Sequence, residues 1–397
     1  MAGPDTTTDR RTFLNAAAAL GVVGTTGLAG CASGDDGDGS DGGDGGDGGG
    51  GNSDGGGGND GGEGGGDLEA ELHVLQRPDA WPNRFVRRFE DEYDVDVSVT
   101  SVESTAGMLA ELESAEPGAY DLLFPRDRAV ADLVDRGAIR PLDLDRLSNW
   151  GNLSERFQRA PYDPGSERHS APCLWGTTGI GWNTGMIGDA DVSSWSAMWN
   201  DEWAGQITML DDMRETVGAA LKSLGHSLNT ADPDQLDRAR ELLFRQHPKI
   251  QAYDSTDLPT ALVYEDASPV HVRSDDFMTA FEKSEEREEE SPLRYVVPKE
   301  GSSLWVTTAT IAADAANPNA AHAFVDHFLG AENAAEISNY TAIATPVGAA
   351  EEHVDDEILS DGRIYPDDST MATLEFVEPL GDDRQLYEAV WDDVRGT

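Results

Sequence analysis

Residues 173–183 read CLWGTTGIGWN, and the fold follows from how this stretch is understood. It is one apolar, extended run interrupted by Gly176, Gly179 and Gly181. Glycines inside a strand mark a bend or a place where another part of the chain comes close. Regular elements lie on both sides of the run, so it reads as the passage from one lobe into a second. Another extended run, LWVTTATIAAD (304–314), offers the way back. Two such crossovers make a hinge, and small ligands sit in clefts between lobes.

Elements alternate on either side. ELHVL (71–75) reads as a strand, and NRFVRRFEDEY (83–93) puts Phe85, Val86, Phe89 and Tyr93 on one helical face. VDVSVTSV (95–102) alternates like a strand, MLAELESAE (108–116) is helical, and YDLLFP (120–125) is a short strand. AVADLVDRG (129–137) is a helix closed by Gly137. Past the run, GQITMLD (205–211), TALVYED (260–266) and LRYVVP (293–298) read as strands. Asp232-Pro233 caps the helix DQLDRARELLFRQ, and Asn317-Pro318 opens a helix that Gly330 ends. Strand–helix repetition of this kind argues for α/β lobes with largely parallel sheets. A body of about 330 residues exceeds what one hydrophobic core serves, which again favours two lobes.

The first 67 residues differ from the rest. Arg10-Arg11 precede a short apolar run, Phe13 to Leu28, diluted by Gly, Thr and Ala. A membrane span needs about 20 apolar residues, whereas a secretory signal has a basic start and an apolar middle of roughly 7–15. The arginine pair resembles a twin-arginine export signal. Leu28-Ala29-Gly30-Cys31 resembles a lipoprotein processing box, with Cys31 as the lipidated residue. Residues 32–66 hold twenty glycines among scattered acids. Such a segment cannot bury enough apolar surface to fold, so 32–67 is expected to be a disordered tether.

The chain carries 76 acidic and 28 basic residues. The first 67 residues hold 12 of the acids and 2 of the bases, which leaves the body 64 against 26, a net charge of −38. No basic stripe exists, so nucleic acid is not an expected partner. EKSEEREEES (282–291) reads as a solvated surface insertion. Two cysteines, Cys31 and Cys173, leave no disulfide framework, and Cys173 reads as a small buried hydrophobe. Asn152 and Asn339 match the glycosylation acceptor pattern. GHSLN (225–229) lacks the closing glycine of a nucleophile elbow, and no phosphate-binding loop, HExxH or Ca²⁺-loop pattern is present. The eight histidines show no ligand spacing. These residues call for no catalysis and no cofactor.

Five segments together resemble one family: GAYDLLFP (118–125), PCLWGTTGIGWN (172–183), TMLDDMRE (208–215), VVPKEGSSLW (296–305) and ATPVGAA (344–350). The chain is similar, from about Leu72 to its C-terminus, to the periplasmic polyamine-binding proteins of ABC importers, the spermidine/putrescine type. Its acidic composition resembles that of haloarchaeal proteins. The resemblance implies an α/β, two-lobed periplasmic-binding-protein fold, two lobes joined by crossover hinge strands. It implies a receptor that closes on its solute and docks on a membrane permease, and not an enzyme. The expected division is 68–176 with 307–345 for the first lobe and 177–306 with 346–397 for the second. A lipid-anchored monomer at the outer face of the cytoplasmic membrane is expected.

In that family the polyamine lies across aromatic faces with its ammonium groups paired to carboxylates, as the chemistry of cations favours. By position, Asp212 and Glu215 match the acidic pair at a helix start, Trp305 the stacking tryptophan, and Tyr264 an aromatic position. A helix cap and core packing would account for the same residues. Departures accompany the match. Arg77 and Ala80 stand after the first strand where the family has aromatics, while Asp79 stays acidic and Trp81 offers a partial substitute. Arg126-Asp127-Arg128 replaces small and aromatic residues. Thr307 stands where an acid is expected, and Ile343 replaces an aromatic. Arg77 and Arg128 at pocket positions would pair with Asp79, Asp212 or Glu215, or point to solvent, or otherwise favour a carboxylate or phosphonate. The implied solute is therefore a polyamine-like cation, with a zwitterion or an anion as the alternative, and a surface sensor without transport as a further one.

Overall fold

The computed structural model describes residues 68–396 apart from Asp79 and Glu289. Cys31, the Arg10-Arg11 pair and the 32–67 tether lie outside the described residues.

The first lobe begins with a parallel core. Strand β1 (Glu71–Gln76) pairs on one side with β2 (Asp96–Ser101) and on the other with β3 (Leu122–Leu123). Strand β4 (Ser170–Asn183) contains the quoted run and extends through 14 residues. The second lobe adds β5 (Ile207–Met209), β6 (Ile250–Tyr253), β7 (Val270–Arg273) and β8 (Leu293–Val296). Strand β9 (Ser303–Ile311) then returns, and β10 (Glu375–Phe376) pairs with its start. Strand order is β2-β1-β3-β9-β4-β7-β5-β6, with β10 on β9 and β8 on β4.

Strand β4 belongs to both lobes. Ser170 to Thr177 pair antiparallel with β9, while Thr178 to Gly181 pair with β7 and Ile180 to Asn183 with β8. The change of partner falls between Thr177 and Thr178. Its glycines permit close approach. A Cβ on Gly176 would lie 2.3 Å from Trp305 and 2.4 Å from Ser274 Oγ, and one on Gly179 would lie 2.3 Å from the Val296 carbonyl. Around this junction the core is continuous, with Trp175, Leu304 and Val306 in one cluster with Val272 and Phe277.

The helices follow their apolar faces. Helix α1 (Asn83–Tyr93) buries Phe85 and Phe89. These rings meet Trp81, Phe324 and Phe328, so Trp81 is a core aromatic of the first lobe. Helix α2 (Thr105–Ser114) is capped by Ser104, and α3 (Val130–Asp135) follows a short 3₁₀ turn. In the second lobe α4 (Met213–Ser223) packs beside α5 (Pro233–Gln246), whose cap is Asp232 as expected. Helix α6 (Leu258–Val263) corrects the reading of residues 260–266 as a strand. Pro259 sits in its first turn, and Leu258, Leu262 and Val263 bury one face. A short apolar run cannot be assigned by periodicity alone. The strand lies a few residues on, in VHVR, and leads into α7 (Ser274–Glu285).

The lobe boundaries differ from those expected after residue 300. All of β9 pairs in the first sheet, so the return crossing lies in 297–302. Helices α8 (Pro318–Phe328) and α9 (Ala331–Thr341) also pack in the first lobe. Residues 346–376 touch both lobes, since Glu375 also bonds Lys222 and Ser227 and Arg363 lies over Phe281, but much of the segment packs on the first. Val347 bridges Leu153, Glu375 pairs with Ser303, and the apolar side chains Val354 and Ile364 bury in clusters with first-lobe residues. Helix α10 (Arg384–Arg395) packs on α4 and α5 through Tyr387, Val390 and Val394.

Cys173 is buried, and burial pushes its thiol well up. The carboxamides of Asn152 and Asn339 are engaged in hydrogen bonds to neighbouring groups, Leu329 O among them for Asn152. No helix among the described residues is long and apolar enough to cross a membrane.

Candidate functional site

The junction between lobes gathers charged side chains from both. Strand β3 ends in a loop in which Arg126 bridges Thr307 of β9 through the backbone and Asp127 turns inward. Asp127 Oδ1 accepts from the Arg128 backbone N–H at 2.9 Å, and its other oxygen has no partner. Burial pushes this carboxyl up to about 7, against the pull of Arg128.

Opposite this loop, Asp212 caps α4. Its Oδ1 accepts from the N–H groups of Arg214 at 3.1 Å and Glu215 at 3.3 Å. Capping of this kind stabilises a helix by about 1 kcal/mol. The other oxygen, Oδ2, receives Arg128 from across the cleft and Arg273 at 3.0 Å from the end of β7. In the first turn of α4, Glu215 is buried and accepts from Ser303 Oγ at 2.6 Å. Burial works against its charge, yet Arg273, His271, Ser303 and Arg128 together hold its carboxyl below the usual range.

A second cluster forms on Trp305. This indole is 3% exposed, and its Nε1 donates to the Thr177 carbonyl at 3.1 Å. The Arg126 guanidinium lies 3.9 Å from the centre of its ring and bonds Asp275 at the start of α7. Arg77 approaches the same carboxylate at 3.8 Å. A desolvated cation on an indole is worth about 2 kcal/mol. Burial opposes ionisation of Asp275, but Arg126, Arg77 and Arg273 hold its carboxyl below the usual range. Asp276 beside it is pushed up to about 6 by burial and by Asp275. Thr307 sits in β9 two residues after Trp305, paired through the backbone with Leu174 and Arg126.

Asp212, Glu215, Trp305, Arg77, Arg128 and Thr307 thus come together at the junction. Tyr264 does not join them. It follows the last turn of α6, is 57% exposed, and lies beneath the Arg287 guanidinium at 4.5 Å. Asp79 lies outside the described residues. Sequence reasoning missed Arg273, Asp275 and Ser303, and passed over Arg126 in favour of Arg128. The signal was VHVRSDD, an alternating strand leading into an acidic helix start, obscured once the strand had been assigned earlier. His271 was missed too. It is fully buried edge-on to Trp195, and neither ring nitrogen has a partner.

The arrangement is a largely buried junction of matched ions and one aromatic face. The chain belongs to the bacterial extracellular solute-binding proteins, whose pattern matches residues 84–364. This is a binding family and not an enzyme family. Within it, the chain is 29% identical over 314 residues to the spermidine/putrescine-binding periplasmic protein of Salmonella typhimurium, covering 79% of this chain and 88% of that one. It is 28% identical over 332 residues to a putrescine/cadaverine-binding protein of Pseudomonas aeruginosa, covering 82% and 93%. Among solved structures, the spermidine/putrescine ABC transporter substrate-binding protein of Streptococcus pneumoniae superposes with a TM-score of 0.71 at 27% identity, covering 82% of this chain and 100% of that one. The two-lobed fold is shared with it.

Proposed function

We propose that this chain is the solute receptor of an ABC importer, exported by the twin-arginine route and anchored at the outer membrane face through Cys31. Its cleft takes a small amine-bearing solute, with spermidine and putrescine as the first class to test. The seat on Trp305 carries this reading, because an indole face flanked by Asp275 already holds a cation, the guanidinium of Arg126. The names of the relatives support the polyamine class. Binding at 100 times Kd stabilises a fold by about 2.7 kcal/mol. A melting-temperature rise with at least one amine-bearing solute at molar salt, putrescine and spermidine being the first tried, is the expected result, and Asp212→Asn should weaken it. Absence of any rise with every amine tried rejects the reading.

One observation favours a second reading. Arg77 and Arg126 both reach Asp275, and Arg128 and Arg273 both reach Asp212, so guanidinium groups outnumber the carboxylates they meet two to one. A solute that also carries an acid would suit such a cleft.

A further inference from the structure

This inference rests on the reading of the interlobe cleft as the solute site and names the solute's chemistry. A diamine needs two seats for cations, and the protein fills both from within. Arg126 stands on Trp305 and bonds Asp275. Arg128 and Arg273 share the outward oxygen of Asp212. A second ammonium would therefore meet guanidinium groups.

What remains unmet in the cleft has both signs. Arg126 and Asp275 are joined through one nitrogen and one oxygen only. The other nitrogen, Arg126 Nη1, and the other oxygen, Asp275 Oδ1, are buried and have no hydrogen-bond partner. Arg126 as a whole is 8% exposed, so solvent does not readily satisfy it. A buried donor on a charged group left unpaired is costly. Arg77, 3.8 Å from the same carboxylate, is a half-engaged guanidinium at the edge. Carboxylate is the group whose geometry suits a guanidinium fork. The unmet oxygen needs an N–H or O–H donor. These two unmet atoms belong to side chains already bonded to each other, unlike the unpaired Asp127 Oδ2, so a solute that meets both must carry its two charges close together.

We propose that the solute is a compact zwitterion, an α-amino acid whose carboxylate accepts from Arg126 Nη1 and Arg77 while its ammonium donates to Asp275 Oδ1. Arg126 then sets specificity twice. It receives the acid, and it denies the indole face to a second ammonium. A quaternary betaine, which has no N–H, does not satisfy Asp275.

The test is thermal shift and calorimetry on the purified protein at molar salt, with the common α-amino acids, glycine betaine, putrescine and spermidine. At least one α-amino acid should stabilise the wild type, while betaine and the diamines should not. Arg126→Ala should weaken that amino acid at least hundredfold and open the seat to putrescine. Arg126→Lys keeps the positive charge and should retain a weakened amino-acid response, with circular dichroism checking that each variant is folded. If putrescine or spermidine stabilises the wild type more than any α-amino acid does, the zwitterion is overturned and the amine receptor stands. If no amine of either kind stabilises the wild type, both fall.

Discussion

The guanidinium of Arg126 lies over the indole of Trp305, 3.9 Å from its carbon to the ring centre, both residues coming from the first lobe. Arg126 comes from the loop after β3 and Asp275, its ion partner, from the second lobe. The ion pair therefore links lobes as well as side chains. Removing one partner of a buried pair strands the other charge, which costs about 3–5 kcal/mol. Arg77 can partly compensate at Asp275, so Arg126→Met should cost about 3 kcal/mol in urea unfolding at molar salt. Arg126→Met with Asp275→Leu should recover most of that loss, since apolar replacement of both partners is often neutral. A double variant no more stable than the single one would show that the pair does not act as a unit.

Gly176 is where Trp305 passes the strand. A methyl there would sit 2.3 Å from the indole and 2.4 Å from Ser274 Oγ. Overpacking of this kind costs about 1–3 kcal/mol. Gly176→Ala should lower the melting temperature and shift the emission of Trp305 by moving the ring. Glycines with open space around them, such as Gly151, should accept alanine with little change.

His271 makes stability depend on pH. Burial pushes its imidazole down to about 4, with Glu215 opposing and Arg273 reinforcing that shift. The unfolded chain takes up a proton near pH 6.5 that the folded chain refuses, so stability present above pH 6.5 is lost as the pH falls toward 4. At about 1.4 kcal/mol per unit, the loss approaches about 3 kcal/mol. Asp127, pushed up to about 7, acts in the opposite direction as the pH falls through 7. The difference between wild type and His271→Leu separates the two, and the variant's melting curve should fall less over this range. Parallel curves would remove the assignment.

The acidity of the body has a cost at low ionic strength. With a net charge of −38 over residues 68–397, repulsion should grow as the Debye length rises from about 3 Å in molar salt to about 10 Å at 0.1 M. Circular dichroism should show a lower melting temperature at 0.1 M. An unchanged value would mean that the acids do not repel one another appreciably in the fold.

Anchoring is tested separately. Cys31→Ser should release the protein to the medium or leave it as unprocessed precursor, measured by fractionation and mass spectrometry. Replacing both Arg10 and Arg11 by lysine should stop export. Correct processing of the cysteine variant, or normal export of the lysine pair, would remove the corresponding step.

Much of the architecture was legible because it depends on local pattern. The glycine-broken run at 173–183 marked the crossing strand, and Asp232-Pro233 marked a helix start that the structure contains. Residues 260–266 were misread because TALV suits a strand and a buried helix equally well, and Pro259 decided in favour of the helix. The cleft was legible only in part. Asp212 and Trp305 could be placed by family position. The partners Arg273 and Asp275 depend on how β7 lies against β4, which is tertiary information. Tyr264 shows the limit of positional transfer: an error of a few residues before a strand moved an expected cleft aromatic onto an exposed helix end.

Strand β4 crosses between lobes without a break, whereas the return passes through the loop 297–302. One connection is a stiff rod held by ladders on both sides of Thr177, and the other is slack cord. A rod so held resists folding but yields to torsion, so the lobes should part by twisting about β4, as a torsion bar does, while the loop pays out to follow. Tyr295 rests its hydroxyl on Thr177 at the centre of that rod, bonded to both the side-chain and main-chain oxygens. Any rotation of the second lobe against the first must load or release that contact.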